Sequence, residues 1–293
     1  MNKDYLKLEN GETIAYYYKK GTTNKTILLI HGNSSSAYFY MPLIDKLDNK
    51  YNVLAPDLRG FGDSSYNKSF DSLKELALDI KLLLEKLNIK DTICVGWSLG
   101  GGVALELALH NSLVKKLVLL NSTSHKGYPV FKKDENNQII PGVVYNTKEE
   151  MSKDKVQVEP LLNIQKTSNA YLMDYILKAS MYNVNPPLKE YQEICVVEAL
   201  KQRCLVDADW ALASLNMGNT NNLYTDGDNS ITKIKQETVC TCGKNDLIVP
   251  SSMVDENVNA IVNSKKIVFE QCGHSPIVDK LDETKKLIED LLA

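Results

Sequence analysis

Apolar and polar residues follow two alternating patterns along the chain. Short runs such as TILLI are apolar throughout, without alternation between apolar and polar positions, as in strands of a parallel sheet that helices cover on both faces. Longer segments such as SLKELALDIKLLLEKL repeat apolar residues along one helical stripe, and Ser72 and Glu75 there have the spacing of an N-terminal capping box. The regular alternation of strand and helix predicts an α/β fold with a mostly parallel, doubly wound sheet.

The start of the chain departs from this parallel order. DYLKLE and TIAYYYK both have strand-like composition, and Asn10-Gly11 lies between them. Asn-Gly is a favoured two-residue hairpin turn because both positions tolerate a positive φ. We therefore predict an antiparallel hairpin here.

The pattern changes between residues 124 and 228. This segment is polar and rich in tyrosine, with amphipathic helical patterns and hardly a strand-like run. Pro186-Pro187 separates two of the predicted helices, because proline disfavours a helical conformation at the preceding residue. Strand and helix then alternate again towards residue 293. We predict a core of residues 1–123 and 229–293, with residues 124–228 inserted after the sixth strand as a helical cap.

Charge and composition narrow the choice of partners and location. The 293 residues carry a net charge of -3 at pH 7 without a basic stripe, which argues against nucleic acid or an anionic membrane as partner. The first residues lack the apolar core of a signal peptide, and no apolar run is long enough to span a bilayer. We expect a cytoplasmic protein without a membrane span; the sequence carries no signal for its oligomeric state. The six cysteines lack zinc-knuckle or C-x-x-C spacing, so we expect most of them to be buried free thiols, and no metal site.

The stretch CVGWSLGGGVALELA contains a G-x-S-x-G motif between a predicted strand and a predicted helix. A serine at so sharp a bend has strained backbone angles, and Gly96 and Gly100 leave room for the strand and the helix to pass. The hydroxyl of Ser98 then lies at a helix N-terminus, where free N–H groups favour developing negative charge. The motif therefore predicts that Ser98 is a nucleophile.

A serine nucleophile needs a base, and the base needs an acid that orients it. After this kind of bend the acid and the histidine follow later strands, in that order. Of the four histidines, His274 alone lies just beyond the last predicted strand, and Asp246 lies in the loop after the preceding strand. Asp255 and Asp279 fit less well, because the first lies within a predicted helix and the second follows the histidine. We predict Ser98, Asp246 and His274 as the catalytic residues.

Acyl chemistry also needs N–H donors for a tetrahedral oxyanion. We expect one donor from Leu99, directly after the nucleophile, and another from the turn HGNSSS after the TILLI strand. In that turn Asn33 is the first choice and Ser34 the second, while His31 is expected to brace the loop.

A further motif, PDLRGFGDSS, contains Arg59, one of only two arginines in a lysine-rich chain. The planar guanidinium donates hydrogen bonds in a fixed fork. We expect Asp57 and Arg59 to tie this loop together.

Five of these motifs together resemble the α/β-hydrolase family: HGNSSS, PDLRGFGDS, GWSLGGG, GKNDLIVP and GHSP. The resemblance covers about residues 5–122 and 236–293, and it implies the α/β-hydrolase fold with an inserted cap. It also implies Ser98 as nucleophile, Asp246 as acid, His274 as base, and Leu99 with Asn33 as the oxyanion hole. GWSLGG is similar, too, to the bend in acyl-carrier-protein methyl ester esterases of biotin synthesis. Family members that displace alkyl groups carry aspartate at the nucleophile position, so the serine here favours acyl transfer.

The sequence thus predicts a serine hydrolase that cleaves a small or medium, mainly apolar carboxylic ester without metal or organic cofactor. Two alternatives remain open. One is a related serine hydrolase acting on a lactone, thioester, peroxyacid or C–C bond; the other is a small-molecule receptor that keeps the triad and turns over slowly. Predicted substrate contacts are the aromatic residue beside the nucleophile and apolar cap residues: Trp97, Tyr128, Phe131, Trp210 and Met217.

Overall fold

The computed structural model describes residues 1–110 and 112–292. The strands, in chain order, are β1 (Asp4–Lys7), β2 (Thr13–Lys19), β3 (Thr26–Ile30), β4 (Asn52–Pro56), β5 (Thr92–Trp97), β6 (Val114–Leu120), β7 (Phe131–Lys133), β8 (Ile139–Val144), β9 (Glu237–Gly243) and β10 (Ser264–Phe269). Eight of them form one sheet in the order β1-β2-β4-β3-β5-β6-β9-β10. β2 pairs antiparallel with both β1 and β4, and every other neighbouring pair in this sheet is parallel. The predicted α/β architecture is confirmed.

The helices lie between these strands or follow them. In chain order they are α1 (Met41–Lys46), α2 (Leu73–Lys86), α3 (Leu99–His110), α4 (Lys148–Met151), α5 (Glu159–Lys166), α6 (Ala170–Ile176), α7 (Lys189–Leu200), α8 (Leu205–Ser214), α9 (Ser251–Ala260), α10 (Pro276–Asp279) and α11 (Leu281–Leu292). Helix α2 begins with the predicted capping box of Ser72 and Glu75. Within residues 1–110 and 112–292, no helix combines the length and the apolar character that a bilayer span requires.

Successive side chains of the central strands enter two different hydrophobic cores. Leu28 and Ile30 of β3 pack in one core with α2 and α3, whereas Ile27 and Leu29 pack in the other with α1 and α11. Because both faces are covered, both sets of alternate positions are apolar. This explains why the strand sequences show no period of two.

The first hairpin forms as predicted, but its connection is longer than the two residues we expected. Lys7 pairs with Thr13, so residues 8–12 make the turn. Gly11 has φ 95° there, a conformation that glycine adopts without steric cost. The Asn-Gly signal therefore marked the hairpin correctly but not its turn type.

The segment between β6 and β9 contains helices α4–α8, and we refer to residues 124–228 below as the cap. The expectation of hardly any strand was wrong in one respect, because β7 and β8 pair as an antiparallel ribbon. Helix α6 continues directly into one π-helical turn, Leu177–Met181. The division into core and cap at residues 123/124 and 228/229 stays a prediction.

Two further predictions concern the cysteines and the loop that contains Asp57 and Arg59. All six cysteines are buried free thiols, as expected. Arg59 does tie its loop, but to Asp79 of α2, with bonds of 2.8 Å from Nε and 2.7 Å from Nη2. Asp57 instead accepts from the Lys3 Nζ and the Ala37 N–H. Asp57 also accepts from the Asp63 N–H within the loop, so both residues tie the loop by hydrogen bonds as expected, although to different partners.

Candidate active site

Ser98 lies at the bend between β5 and α3, with φ 55° in the left-handed region. The two flanking glycines allow this bend. A Cβ added to Gly96 would lie 2.3 Å from the carbonyl oxygen of Gly100, and one added to Gly100 would lie 2.2 Å from that of Ile30. Both approaches are too close for any side chain, so the sequence G-x-S-x-G is a steric requirement of this bend.

Asp246 and His274 lie in the loops that follow β9 and β10, at the same edge of the sheet. His274 Nδ1 lies 2.9 Å from Oδ2 and 3.1 Å from Oδ1 of Asp246. Asp246 Oδ1 also accepts from the N–H groups of Ile248 and Val249, at 2.8 and 3.0 Å. Both side chains are 2% exposed. The carboxylate is therefore held by several donors, and it orients the imidazole.

Asn121, directly after β6, joins the two loops, and sequence reasoning missed it. Its Nδ2 donates to Asp246 Oδ2 at 3.1 Å and to the carbonyl of Gly273 at 2.8 Å. Asn121 has φ 40°, which asparagine tolerates better than most residues. An asparagine at the carboxyl end of β6, a strand next to β9, was the available signal.

The side chains of Trp97 and His31 form hydrogen bonds with the backbone of loops around the site. Trp97 is buried, and its Nε1 donates to the carbonyl of His274 at 2.8 Å. His31 Nε2 accepts from the Leu58 N–H at 3.0 Å, and its Nδ1 lies 2.8 Å from the Gly32 carbonyl. Burial lowers the pKa of His31 to about 4, so the imidazole is neutral at pH 7. These contacts agree with the expectation that His31 braces its loop.

Two backbone N–H groups near Ser98 have no hydrogen-bond acceptor among the described residues: those of Asn33 and Leu99. Ser34 differs, because its N–H is bonded to Asn33 Oδ1 and to Gln202 Oε1, each at 3.0 Å. Ser34 also has φ 49°, which shapes the turn. The N–H of Asn33 is therefore available for a ligand, and that of Ser34 is not.

A cavity of about 300 Å³ lies between the core and the cap, and Ser98, His274, Asn33 and Leu99 line it. The cap contributes mainly apolar side chains to its wall, from α5, α6 and the π-helical turn: Leu161, Met173, Ile176, Leu177 and Met181. One buried carboxyl of the cap, that of Asp209, also lines this cavity.

Of the five predicted substrate contacts, only Tyr128 lines the cavity as the described residues define it. Trp97 lies in the core behind His274. Trp210 packs edge-to-face on Tyr224, and Phe131 lies in the β7–β8 ribbon. Met217 packs in the core that contains α2 and α3. The structure therefore places these four residues outside the lining of this cavity, with Trp97 and Met217 buried and Phe131 and Trp210 half-buried.

One group of three carboxylates in the described part of the chain is close enough to bind a cation, and it lies outside the cavity: Asp57, Asp63 and Glu198. Lys3 Nζ lies among them, at 2.7, 2.7 and 3.1 Å. The ammonium group supplies the positive charge that a metal ion would bring. This cluster is an ion-pair network that joins Lys3, just before β1, to the loop after β4 and to α7.

Comparisons with known proteins agree with this architecture. The family model of the alpha/beta hydrolase fold matches residues 25–281. "Uncharacterized hydrolase YugF" of Bacillus subtilis is 33% identical over 118 residues, which cover 40% of this chain and less than half, 43%, of that protein. The pimeloyl-[acyl-carrier protein] methyl ester esterase of Vibrio atlanticus is 25% identical over 267 residues, 91% of this chain and 93% of that protein. The solved structure of an esterase (EaEST) from Exiguobacterium antarcticum has a TM-score of 0.73 at 18% identity, with 99% of both chains covered.

The family match extends through the bend at Ser98 and the loops of Asp246 and His274. The structural likeness covers the whole chain, and at this identity it shows the fold. Sequence, fold and family model point to the same assignment: this chain belongs to the α/β-hydrolase fold family, as a hydrolase.

Proposed function

We propose that this protein hydrolyses carboxylic esters through an acyl intermediate on Ser98. One observation carries the proposal: His274 is bonded to Asp246 at 2.9 Å and lines the same cavity as Ser98, whose backbone is in the left-handed region. A methyl ester esterase aligns with 91% of the chain at 25% identity, and this supports an ester as substrate. Ser98 is the nucleophile, His274 the base and Asp246 the acid that orients it.

Acylation follows from this arrangement. Because Asp246 accepts the Nδ1 proton of His274, the lone pair of the imidazole is on Nε2, where it takes the proton of Ser98 Oγ. Oγ attacks the carbonyl carbon, and the electron pair moves to the carbonyl oxygen. The N–H groups of Leu99 and Asn33 donate to this oxyanion. The C–O bond to the alcohol then breaks, and His274 Nε2 gives its proton to the leaving oxygen.

Deacylation repeats these steps with water. His274 Nε2 takes a proton from water, whose oxygen attacks the acyl carbon of the Ser98 ester. When this second intermediate collapses, the bond to Ser98 Oγ breaks and His274 returns the proton to that oxygen. The products are a carboxylic acid and an alcohol, and the protein regains its first state.

The cavity suggests the size and polarity of the substrate. Its volume of about 300 Å³ lies at the small end of ligand pockets. The apolar cap wall gives no charged group for a substrate to pair with except the carboxyl of Asp209. We therefore propose a small or medium ester with an apolar acyl or alcohol group, in contact with Tyr128 and the cap.

The test is turnover of p-nitrophenyl butyrate by the wild-type protein, Ser98→Ala and His274→Ala. We expect each variant to lose roughly 10⁴-fold or more in kcat, because these groups act as a unit. Ser152→Ala is the matched control, since this half-buried serine lies outside the cavity lining and its hydroxyl donates to the carbonyl of Glu149. A fluorophosphonate probe should label Ser98, identified by the mass of its peptide, in the wild type and in Ser152→Ala.

The same assay separates the alternatives. Turnover that persists in Ser98→Ala would contradict the proposal. One acylation per molecule without further turnover would indicate a receptor, and faster turnover of lactones or thioesters than of esters would change the substrate class.

A further inference from the structure

A second carboxyl group faces the cavity that contains Ser98. Asp209 lies in α8 of the cap and is 6% exposed. Its Oδ1 accepts from Asn33 Nδ2 at 2.8 Å, and no cation of the described residues pairs with it. Asp207, two residues earlier, pairs with Lys148 at 2.8 Å and accepts from the Tyr66 hydroxyl at 2.5 Å. Unlike Asp207, Asp209 is not held in the interior by an ion pair, so its burial needs another explanation.

Asn33 is bonded to the cap at a second point, Gln202. Gln202 Nε2 donates to Asn33 Oδ1 at 2.8 Å, and Gln202 Oε1 accepts from the Ser34 N–H at 3.0 Å. The amide nitrogen of Asn33 is bonded to Asp209, as described above. Two cap residues from different segments thus fix both polar ends of the Asn33 side chain, while the backbone N–H of Asn33 stays free.

We propose that Asp209 and Gln202 are positioning residues, which hold Asn33 so that its backbone N–H points at the oxyanion. This inference rests on the proposed function of Ser98, and it makes the oxyanion site depend on the cap. An N–H donor contributes most when it is already oriented before charge develops. Because these two polar side chains hold the side chain of Asn33, their loss should affect the transition state more than substrate binding.

The charge of Asp209 also affects the proposed oxyanion site. Burial raises the pKa of Asp209 to about 7, although the hydrogen bond from Asn33 acts to lower it. Below pH 7 the carboxyl is neutral and still accepts from Asn33. Above pH 7 it is an anion in the same cavity as Ser98, bonded to the side chain of Asn33, and like charges repel strongly where water is excluded. The neutral form is therefore the better support for catalysis.

Other titratable groups surround Asp209. Asp154 acts to raise its pKa and Lys133 to lower it, and these two are themselves paired at 2.5 Å. Tyr128 and Tyr224 also interact electrostatically with Asp209, and His274 lines the same cavity. A pH effect that belongs to Asp209 must therefore disappear when Asp209 alone is made non-ionisable.

The experiment measures kcat and KM for p-nitrophenyl butyrate from pH 6 to pH 9, in the wild type, Asp209→Ala, Asp209→Asn and Asp207→Ala. We expect Asp209→Ala to lose about tenfold to a hundredfold in kcat, with KM changed less than threefold. Asp209→Asn keeps an acceptor for Asn33, so its kcat at pH 6 should recover to within about threefold of the wild type. The wild-type kcat should fall above pH 7, and that fall should be absent in Asp209→Asn.

Asp207→Ala controls for general damage to α8 and should keep kcat. A kcat of Asp209→Ala equal to that of the wild type would overturn the inference. So would an equal loss in Asp207→Ala, a change in KM alone, or the same alkaline fall in Asp209→Asn. Absence of turnover in the wild type would be a failure of the proposed function instead, and the fluorophosphonate labelling of Ser98 distinguishes the two.

Discussion

The cavity has a core wall, formed at the strand ends around Ser98 and His274, and a cap wall, formed by residues of the cap, and the two are organised in opposite ways. On the core wall, Asp246 accepts hydrogen bonds from two backbone N–H groups, from Asn121 and from His274. On the cap wall, the lining of α6 and the π-helical turn is apolar, and the hydroxyl of Ser180 is bonded to the carbonyl of Ile176 in its own helix. The core wall holds the Asp246–His274 pair in one orientation, whereas the cap wall provides an apolar surface of a particular shape.

We infer that this difference separates the residues of the reaction from those of substrate selectivity. A group that must transfer a proton needs a fixed geometry, and strand ends in a packed sheet provide it. A wall that contacts an apolar substrate needs only complementary volume, so many residues can serve there. Asp209 and Gln202 are the exceptions, because they are polar cap residues that bond to the core turn at Asn33.

The largest expected effect tests the core wall. Asp246→Asn keeps the size of the side chain but cannot hold His274 in the tautomer that leaves Nε2 free, so kcat should fall by roughly 10⁴-fold. The measurement is the steady-state hydrolysis of p-nitrophenyl butyrate at pH 7.5.

Asp255→Asn is the matched control for that substitution. Asp255 lies in α9, follows Asp246 in the chain, and pairs with Lys266 at 2.6 Å on the protein surface. Its variant should keep the wild-type kcat. If Asp246→Asn kept kcat within tenfold of the wild type, the core wall would not contain the acid we assign to it.

The next largest effect concerns Asp209, a polar residue of the cap wall, and the measured quantity is the free energy of unfolding as a function of pH. The pKa of Asp209 rises from its ordinary value of 3.8 to about 7 in the folded protein. Between these values the folded state holds a proton that the unfolded state has lost, so raising the pH costs stability, by at most roughly 4 kcal/mol. Above pH 7 the cost is complete and constant. Asp209→Asn does not titrate, so it should gain stability relative to the wild type between pH 5 and pH 8, measured by urea unfolding.

A constant difference between the two proteins from pH 5 to pH 8 would contradict a raised pKa at Asp209. Asp207→Asn is the comparison on the same helix. It weakens the ion pair with Lys148, so we expect a loss of stability at pH 8 rather than a gain.

The same contrast between the walls explains what the sequence alone could predict. Ser98, Asp246 and His274 follow strands in a defined order, and local glycines and loop positions mark them. Asn121 was missed because its role depends on two loops that are distant in the sequence and meet only in the folded sheet.

The cap residues have no comparable marker. Trp210 and Met217 were predicted as substrate contacts because they are large and apolar, a property that interior packing requires equally. Ile176 and Leu177 line the cavity where α6 passes into the π-helical turn, a change of helix type that no periodic pattern of the sequence indicates. Asp209 lies in a segment of ordinary helical composition, and only its contact with Asn33 distinguishes it. Which cap residues line the cavity therefore depends on how the helices pack, and a periodic pattern does not determine that packing.

The smallest expected effect tests whether the cap wall selects by shape. Ile176 is half-buried and lines the cavity, so Ile176→Phe should reduce the room for long acyl chains. Across p-nitrophenyl esters from acetate to octanoate, we expect kcat/KM for the longest ester to fall about tenfold relative to acetate. Leu172→Phe places the same bulk on an exposed position of α6 outside the cavity lining, and it should leave the ratio unchanged. Equal losses for all esters in Ile176→Phe would mean that this wall supports the reaction itself, and the separation between a chemical wall and a selective wall would fail.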